Sequence, residues 1–325
     1  MQQIVVAKPG GPEVLELRDV PVPEPKPNEI LIKLAACGVN FIDIYQRTGS
    51  YPIPYPTGLG LEGAGVVVQV GSQVSRFKTG DRVAFCLGPL GAYADYAAVP
   101  ESKAVLVPDA IDLEAAAGIL LKGLTAEFLV RRLRPLAQGD TVLFHAAAGG
   151  VGLMACAWLA HLGVRVIGTV GSEEKADLAR QHGCAHPILY RHESVIDHVN
   201  HLTEGQGCTI VYDSIGADTL MDSLACAAKR GLVVSFGNAS GPPPAISPLE
   251  LSKRGSLFLT RPTLFDYVAT SSDLDNAANA LFSLVETGFI RPVIGARLSI
   301  KEAAIAHLDL ANRKTVGSTI LIPGL

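Results

Sequence analysis

The chain has 325 residues, 48% of them hydrophobic and 18% charged, with a formal net charge of −4. That length exceeds what one hydrophobic core usually organises, so two domains are expected. The acidic balance and the lack of a basic block argue against nucleic acid as the main partner, and no apolar run reaches the roughly 18 residues of a membrane span.

The N-terminal "MQQIVVAKPGG" is too short in its apolar run, and too quickly broken by Pro9 and two glycines, to read as a signal peptide. Residues 1–122 read as β-rich. Strands are expected at "QIVVA", "EILIKLAACGV", "GAGVVVQVG" and "DRVAFC", separated by the turns "KPGGP", "FKTGD" and "CLGPLG". Pro21, Pro23, Pro25 and Pro27 alternate ahead of the second strand as an extended spacer.

From about residue 123 the texture changes. "DTVLFHA" is a buried strand, "VGLMACAWLAHLG" an almost wholly apolar helix, and "VRVIGTV" a second strand. "SEEKADLARQHG" is a helix capped by Ser172 and closed by Gly183. "CTIVYDSIG" and "GLVVSFGN" are further strands. Apolar strands alternating with helices predict a parallel sheet covered on both faces. An apolar edge is expected over "GSLFLTRPTLF" at 255–265. Residues 263–325 then return to a mixed texture, with the helix "LDNAANALFSLVETG" and a last strand "STILIPG". The expected organisation is an α/β protein: a β-rich domain over 1–123, a doubly wound domain over 124–262 inserted into it, and a return over 263–325. Ligands are expected in the cleft between the domains, at the carboxyl ends of the parallel strands.

"HAAAGGVG" lies where a dinucleotide loop belongs, after one strand and before a helix. The string is Ala147-x-Gly149-x-x-Gly152, with alanine at the first position, so the turn is expected to avoid a left-handed residue there. Gly149 lets the backbone approach a pyrophosphate, Gly152 lets helix and strand pack closely, and the helix N-terminus supplies N–H groups. Ala148, Gly149, Gly150 and Val151 are the loop residues set against the cofactor. Packing of small residues without a ligand is the plainer alternative.

The second strand of the inserted domain ends at Gly171-Ser172, where an NAD site would carry Asp or Glu. Gly171 has no carboxylate to repel a 2′-phosphate, Ser172 offers a hydroxyl, Lys175 lies one turn into the helix, and Tyr190 follows the third strand. This favours NADPH. Glu173 and Glu174 speak against it, unless they only answer the helix dipole. Ser214 and the run Phe236-Gly237-Asn238 sit at other strand ends on the same side, and Arg261 is a basic group near an element end. Thr125 is expected to open the helix between the domains and meet the nicotinamide.

The stretches "VNFIDIYQRTGSYP", "PTGLGLEGAGVV", "AAAGGVG", "VYDSIG", "VVSFGNASG" and "RKTVGSTILIP" together give the chain a specific likeness. It resembles, over essentially its whole length, the zinc-independent quinone oxidoreductases, the zeta-crystallin-like branch of the medium-chain dehydrogenase/reductase superfamily. The resemblance implies a GroES-like catalytic domain beside a Rossmann domain, NADPH as cofactor, and a homodimer joined through a Rossmann edge strand. It also implies that Phe41, Ile42 and the residues up to Tyr45 touch the nicotinamide ribose, and that Arg313 lies near the adenosine phosphate or carboxamide. Zinc members of the superfamily hold their catalytic metal with Cys, His and Cys. Asn40, Leu61 and Lys122 stand at those places here, and no cysteine-rich lobe follows Cys86, so no metal site is expected.

Hydride transfer to a quinone needs little acid–base help, because the acceptor is already electrophilic and the cofactor carries the hard step. Asn40, Asp43, Tyr45 and Tyr51 are the candidate catalytic residues, the two tyrosines as stacking or hydrogen-bonding partners of an aromatic acceptor. Shielding of the neighbouring prolines is the structural alternative for Tyr51, a local turn bond that for Asp43. An enone or 2-alkenal reductase on the same fold is the enzymatic rival, and a non-catalytic, crystallin-like NADPH- or RNA-binding protein is the rival from another class. His182, Cys184 and His186 form a metal-like string that reads instead as a helix end and a turn. His198 and His201 read as helix surface, and His145 as a packed core residue. The six cysteines are scattered without a CxxC pair, which fits reduced thiols and a cytoplasmic setting.

Overall fold

Strand propensity and the long apolar runs of the N-terminal part produce an antiparallel assembly. The structure, a computed structural model, describes residues 1–325. Its first strands are β1 (Gln2–Val6), β2 (Leu15–Asp19) and β3 (Glu29–Val39), followed by helix α1 (Phe41–Thr48). Then come β4 (Thr57–Gly58), β5 (Glu62–Val70), β6 (Arg82–Cys86), β7 (Tyr96–Pro100) and β8 (Ala104–Leu106). Helix α2 (Leu113–Arg131) begins where the Asp112 carboxylate accepts the Ala115 N–H at 2.7 Å.

The next run alternates strand and helix: β9 (Thr141–Phe144), α3 (Gly150–His161), β10 (Arg165–Val170), α4 (Glu173–Gln181), β11 (His186–Leu189) and α5 (Val195–Leu202). It continues through β12 (Cys208–Asp213), α6 (Leu220–Cys226), β13 (Ala227–Ser235), α7 (Pro248–Lys253), β14 (Phe258–Thr260) and α8 (Leu264–Tyr267). The C-terminal part adds α9 (Ser271–Glu286), β15 (Ile294–Ser299), α10 (Ala303–Ala311) and β16 (Ser318–Ile322).

The chain divides into two compact units. Met1–Leu124, Val268–Gly288 and Pro292–Leu325 form the first; Thr125–Tyr267 and Phe289–Arg291 form the second. In the first, β2-β1-β4 make a small antiparallel sheet, and a larger sheet runs β15-β16-β3-β5-β6-β8 with β7 also paired to β3. Its core gathers Ile30, Ile32, Val67, Val83, Phe85 and Tyr93, all fully buried. Each such apolar side chain stabilises the fold by about 1.5–3 kcal/mol relative to exposure.

The second unit holds one all-parallel sheet in the order β11-β10-β9-β12-β13-β14, which is 3-2-1-4-5-6 in the unit's own strand sequence. The four residues of β9 are all buried, as covered parallel strands require. The order reverses between β9 and β12, so the loops leaving those two strands adjoin at the carboxyl edge, where doubly wound sheets bind ligands.

Three sequence expectations change. Thr125 does not open a helix: α2 starts twelve residues earlier, and Thr125 lies half-buried in its second half. The helix continues through Gly118 and Gly123 because both face packed side chains rather than a turn. A Cβ at Gly123 would come within 2.4 Å of Leu281. The edge strand shrinks to Phe258–Thr260, since Arg261 precedes Pro262, which has no N–H for a ladder, and α8 follows at once. His186 opens β11 instead of sitting in a turn. All six cysteines are free and buried, and no helix is long and apolar enough to cross a membrane.

Candidate active site

In the first unit, β3 delivers Asn40 to the start of α1. The Asn40 N–H donates to the Asp43 carboxylate at 2.8 Å, and the Asp43 N–H donates to the Asn40 carbonyl at 3.1 Å, a reciprocal closure of the helix start. The Asn40 side-chain amide donates to Glu62 Oε2 at 2.8 Å, and Glu62 Oε1 accepts the Leu121 N–H at 2.7 Å. The Lys122 ammonium stands 3.5 Å from Glu62 Oε2. Gly38 makes room for this carboxylate: a Cβ there would lie 2.1 Å from Glu62 Oε2.

Asp43 also anchors a second buried line. The Tyr93 hydroxyl donates to Asp43 Oδ2 at 2.7 Å and meets His307 Nε2 at 3.1 Å, and His307 Nδ1 meets Arg47 Nη1 at 3.2 Å. Asp43, Glu62, Tyr93 and His307 are fully buried. Burial pushes the Asp43 carboxyl up to about 7, against the pull of the Tyr93 hydroxyl, the Asn40 N–H and the Lys122 charge. Burial, helped by the Arg47 charge, pushes the His307 imidazole down to about 3, so it is neutral and accepts the guanidinium N–H at Nδ1. The Nε2 proton then faces the Tyr93 oxygen. Asp43 Oδ1 and Gln46 Oε1 remain buried without a hydrogen-bond partner.

Of the expected residues here, Asn40 and Asp43 meet in this cluster. Phe41 and Ile42 begin α1 and are half-buried. Tyr45 forms an aromatic row, its ring centroid 6.2 Å from Phe41 and 5.1 Å from Tyr51, whose N–H donates to the Tyr45 carbonyl. Arg313 lies apart from these in sequence, just past α10, in a left-handed conformation with φ 59°. Glu62, Tyr93, Lys122 and His307 were not singled out as catalytic from the sequence. A "GLE" or "AHLD" string carries no local sign of its partner.

In the second unit the left-handed residue of the glycine loop is Ala146, with φ 55°, one position before the alanine that replaces the first glycine. Gly149 caps α3 in extended conformation and faces nothing closer than the Ala146 carbonyl. Gly152 is required: its Cβ would lie 2.4 Å from the Ala146 carbonyl oxygen. Ala148, Gly149, Gly150 and Val151 thus form an open bend with the first N–H groups of α3 behind it. His145 supports it from below, buried between Thr169 Oγ1 and Ser223 Oγ at 3.1 Å each, and burial lowers its pKa. Ser223 donates in turn to Asp213, which also accepts the N–H groups of Ile215 and Gly216 and so shapes the loop after β12.

Ser214 and Gly237 are pressed together at neighbouring strand ends, with Phe236 donating its N–H to the Asp213 carbonyl and Asn238 following. Arg261 folds back onto this edge, donating to the Gly237 carbonyl at 3.0 Å. At the end of β10, Ser172 caps α4 by accepting the Lys175 N–H at 3.4 Å. Around Gly171 the nearest groups are the Tyr190 hydroxyl and the Arg191 guanidinium, 3.3 and 3.6 Å from where a Cβ would stand. Burial lowers the Lys175 ammonium pKa, with Tyr190 and Arg191 both close enough to contribute, in opposite directions. Arg191 is a second cation in this cluster that the sequence did not suggest. These residues fit a dinucleotide: an open backbone bend for a pyrophosphate, and two cations with a phenol for a further phosphate.

Residues 26–109 match the alcohol dehydrogenase GroES-like domain, and residues 150–283 match the zinc-binding dehydrogenase family. The chain is 54% identical to a quinone oxidoreductase of Pseudomonas aeruginosa over 323 residues, 99% of each chain. It is 42% identical to a 2-haloacrylate reductase of a Burkholderia species over 327 residues, 98% of each. The crystal structure of Escherichia coli quinone oxidoreductase complexed with NADPH superposes with a TM-score of 0.97 at 44% identity, covering 99% of this chain and 100% of that one. Zinc does not fit the residues found here. The Asn40 amide already donates to Glu62, Leu61 has no donor atom, Lys122 brings a positive charge, and no three His, Cys, Asp or Glu side chains are grouped to hold a metal.

Proposed function

The chain belongs to the quinone oxidoreductases of the medium-chain dehydrogenase/reductase superfamily, and we propose that it reduces quinones with NADPH and without zinc. The observation that carries the cofactor choice is the group around Gly171: no carboxylate at the end of β10, and Lys175, Tyr190 and Arg191 converging there. NADPH supplies the hydride when bound.

The chain's own residues bind and orient. Ala148, Gly149, Gly150 and Val151 offer backbone N–H groups to the pyrophosphate. Gly171, Ser172, Lys175 and Tyr190 receive the 2′-phosphate. Ser214, Phe236, Gly237, Asn238 and Arg261 line the strand ends beside it, and Thr125, Phe41, Ile42 and Arg313 complete the nicotinamide and adenosine contacts. Tyr45 and Tyr51 present a ring surface to a planar acceptor. Asn40 and Asp43 fix the start of α1, so the aromatic row has one geometry. We further propose that the protein works in the cytoplasm, with its six thiols reduced. We also propose that it pairs as a homodimer through the open edge of β14, where Phe258 is 60% exposed.

The deciding experiment measures kcat/KM for NADPH oxidation with 1,4-benzoquinone and with a 2-alkenal. Higher values for the quinone are expected. Dominant alkenal turnover would move the assignment to the second reading, a reductase of activated alkenes, which the likeness to the haloacrylate enzyme favours.

A further inference from the structure

We propose that Lys122 is a catalytic residue of this reaction: its ammonium receives the oxygen of the reduced quinone, stabilises the anion and gives it a proton. The proposal rests on the quinone-reductase reading above.

The Lys122 side chain is 9% exposed and Glu62 fully buried. Structural ion pairs in buried surroundings close to hydrogen-bond distance, because only then does the pair offset the several kcal/mol of desolvation per ion. Elsewhere in this chain that rule is kept: Glu127 Oε1 accepts hydrogen bonds from Arg131 Nη1 and Arg132 Nε at 3.1 Å each. Lys122 breaks it. Its Nζ stays 3.5 Å from Glu62 Oε2, and it makes no hydrogen bond at all, although it carries three donors.

Glu62 cannot come closer to satisfy it. Both its oxygens are held by shorter bonds, from the Asn40 amide and the Leu121 N–H. The carboxylate therefore stands beside the ammonium without consuming its donors. Asp43, which feels the Lys122 charge, likewise leaves Oδ1 without a partner. Beside the start of α1 the fold thus keeps a desolvated cation with unused hydrogens, a preorganised donor for an oxyanion.

The step balances simply. A hydride added to a quinone gives the hydroquinone monoanion. An Nζ–H bond breaks, its proton forms the O–H bond of the hydroquinone, and the neutral amine recovers a proton from water.

The test uses the full-length protein with NADPH and a series of quinones whose hydroquinones differ in acidity. Lys122→Met is expected to lower kcat by roughly 100-fold, the scale for losing one oxyanion donor. The loss should be greatest for methylated quinones, whose anions are most basic, and smallest for halogenated ones. Lys122→Arg, which keeps the charge but gives up no proton, should recover only the part of the rate that comes from stabilising the anion. A uniform loss across the series, or none, overturns the proposal while leaving the function intact; a wild-type protein that oxidises no NADPH with any quinone overturns the function itself. Binding of 4-nitrophenol gives a readout independent of turnover and of any folding defect in the Met variant. The bound phenol should ionise at lower pH than free phenol in the wild type and in Lys122→Arg. No shift in the wild type, or an undiminished shift in folded Lys122→Gln, overturns the proposal.

Discussion

The two candidate regions solve the same problem by opposite means. Around Asn40, Asp43 and Glu62 the first unit uses buried polar and charged side chains: carboxylates, an ammonium, a phenol, a neutral imidazole and a guanidinium, joined by hydrogen bonds and an ion pair. At residues 146–152 the second unit spends almost no side chain. It offers bare backbone, one left-handed alanine and a glycine that no other residue can replace without meeting a carbonyl. The first region should therefore respond to changes of charge at constant shape, the second to changes of shape at constant charge.

The largest effect is expected from Glu62→Ala. It strips the acceptor from two donors, the Asn40 amide and the Leu121 N–H, and leaves Lys122 buried and uncompensated, a loss of about 3–5 kcal/mol by urea unfolding. A loss below about 1 kcal/mol would mean that the region tolerates charge imbalance and that the contrast is overstated. In the second unit, Gly152→Val should raise KM for NADPH at least about 100-fold, since a contact shift of this kind near the reacting geometry is worth that much. Little change would show that the loop is not shape-limited.

Lys175→Ala comes next. One charge-assisted bond of about 1.5–3 kcal/mol corresponds to roughly 10- to 100-fold in KM for NADPH, with NADH nearly unaffected. Equal effects on the two cofactors would remove the 2′-phosphate from this cluster. Activity measured after exhaustive chelation should be unchanged. Loss restored by added Zn²⁺ would contradict the donor set at Asn40, Leu61 and Lys122.

The subtlest effect is in pH dependence. Asp43, raised to about 7 by burial, stabilises the folded chain most below its ordinary value near 4, and that contribution fades as pH climbs to about 7. His307, lowered to about 3 by burial, does the reverse: its contribution is full above its ordinary value near 6.5 and fades as pH falls. Between about pH 4 and 6.5 the two slopes oppose each other. Tm of Asp43→Asn should rise with pH across that window more steeply than in the wild type, and Tm of His307→Gln should fall. Parallel curves for all three proteins would show that neither group titrates as its surroundings dictate.

The same contrast explains what could be read in the sequence. The glycine loop, the strand–helix alternation and the cap at Ser172 are local, and a short window contains all their causes. The doubly wound order follows from repeated use of that alternation. The polar cluster is not local: Leu121 and Glu62 are 59 residues apart, and Tyr93 and His307 are 214 apart. Nothing beside Glu62 or His307 in the chain marks them, because their partners arrive only with the β-sheet and α10. Arg191 carries no local mark for the same reason, since only the parallel pairing of β10 with β11 brings it to Gly171. Thr125 reads as a helix start because the glycine in "LLKGLTA" looks like a helix boundary, whereas tight packing against Leu281 keeps Gly123 helical.

The burial of all six cysteines gives the surface a practical property. A maleimide dye finds no exposed native sulfur, so attachment sites can be added without first deleting any. Leu106 in the first unit and Leu249 in the second are 57% and 68% exposed. Cysteines introduced there would carry a fluorescent donor and acceptor, and their energy transfer with and without nucleotide would report directly how far the two units stand apart in solution.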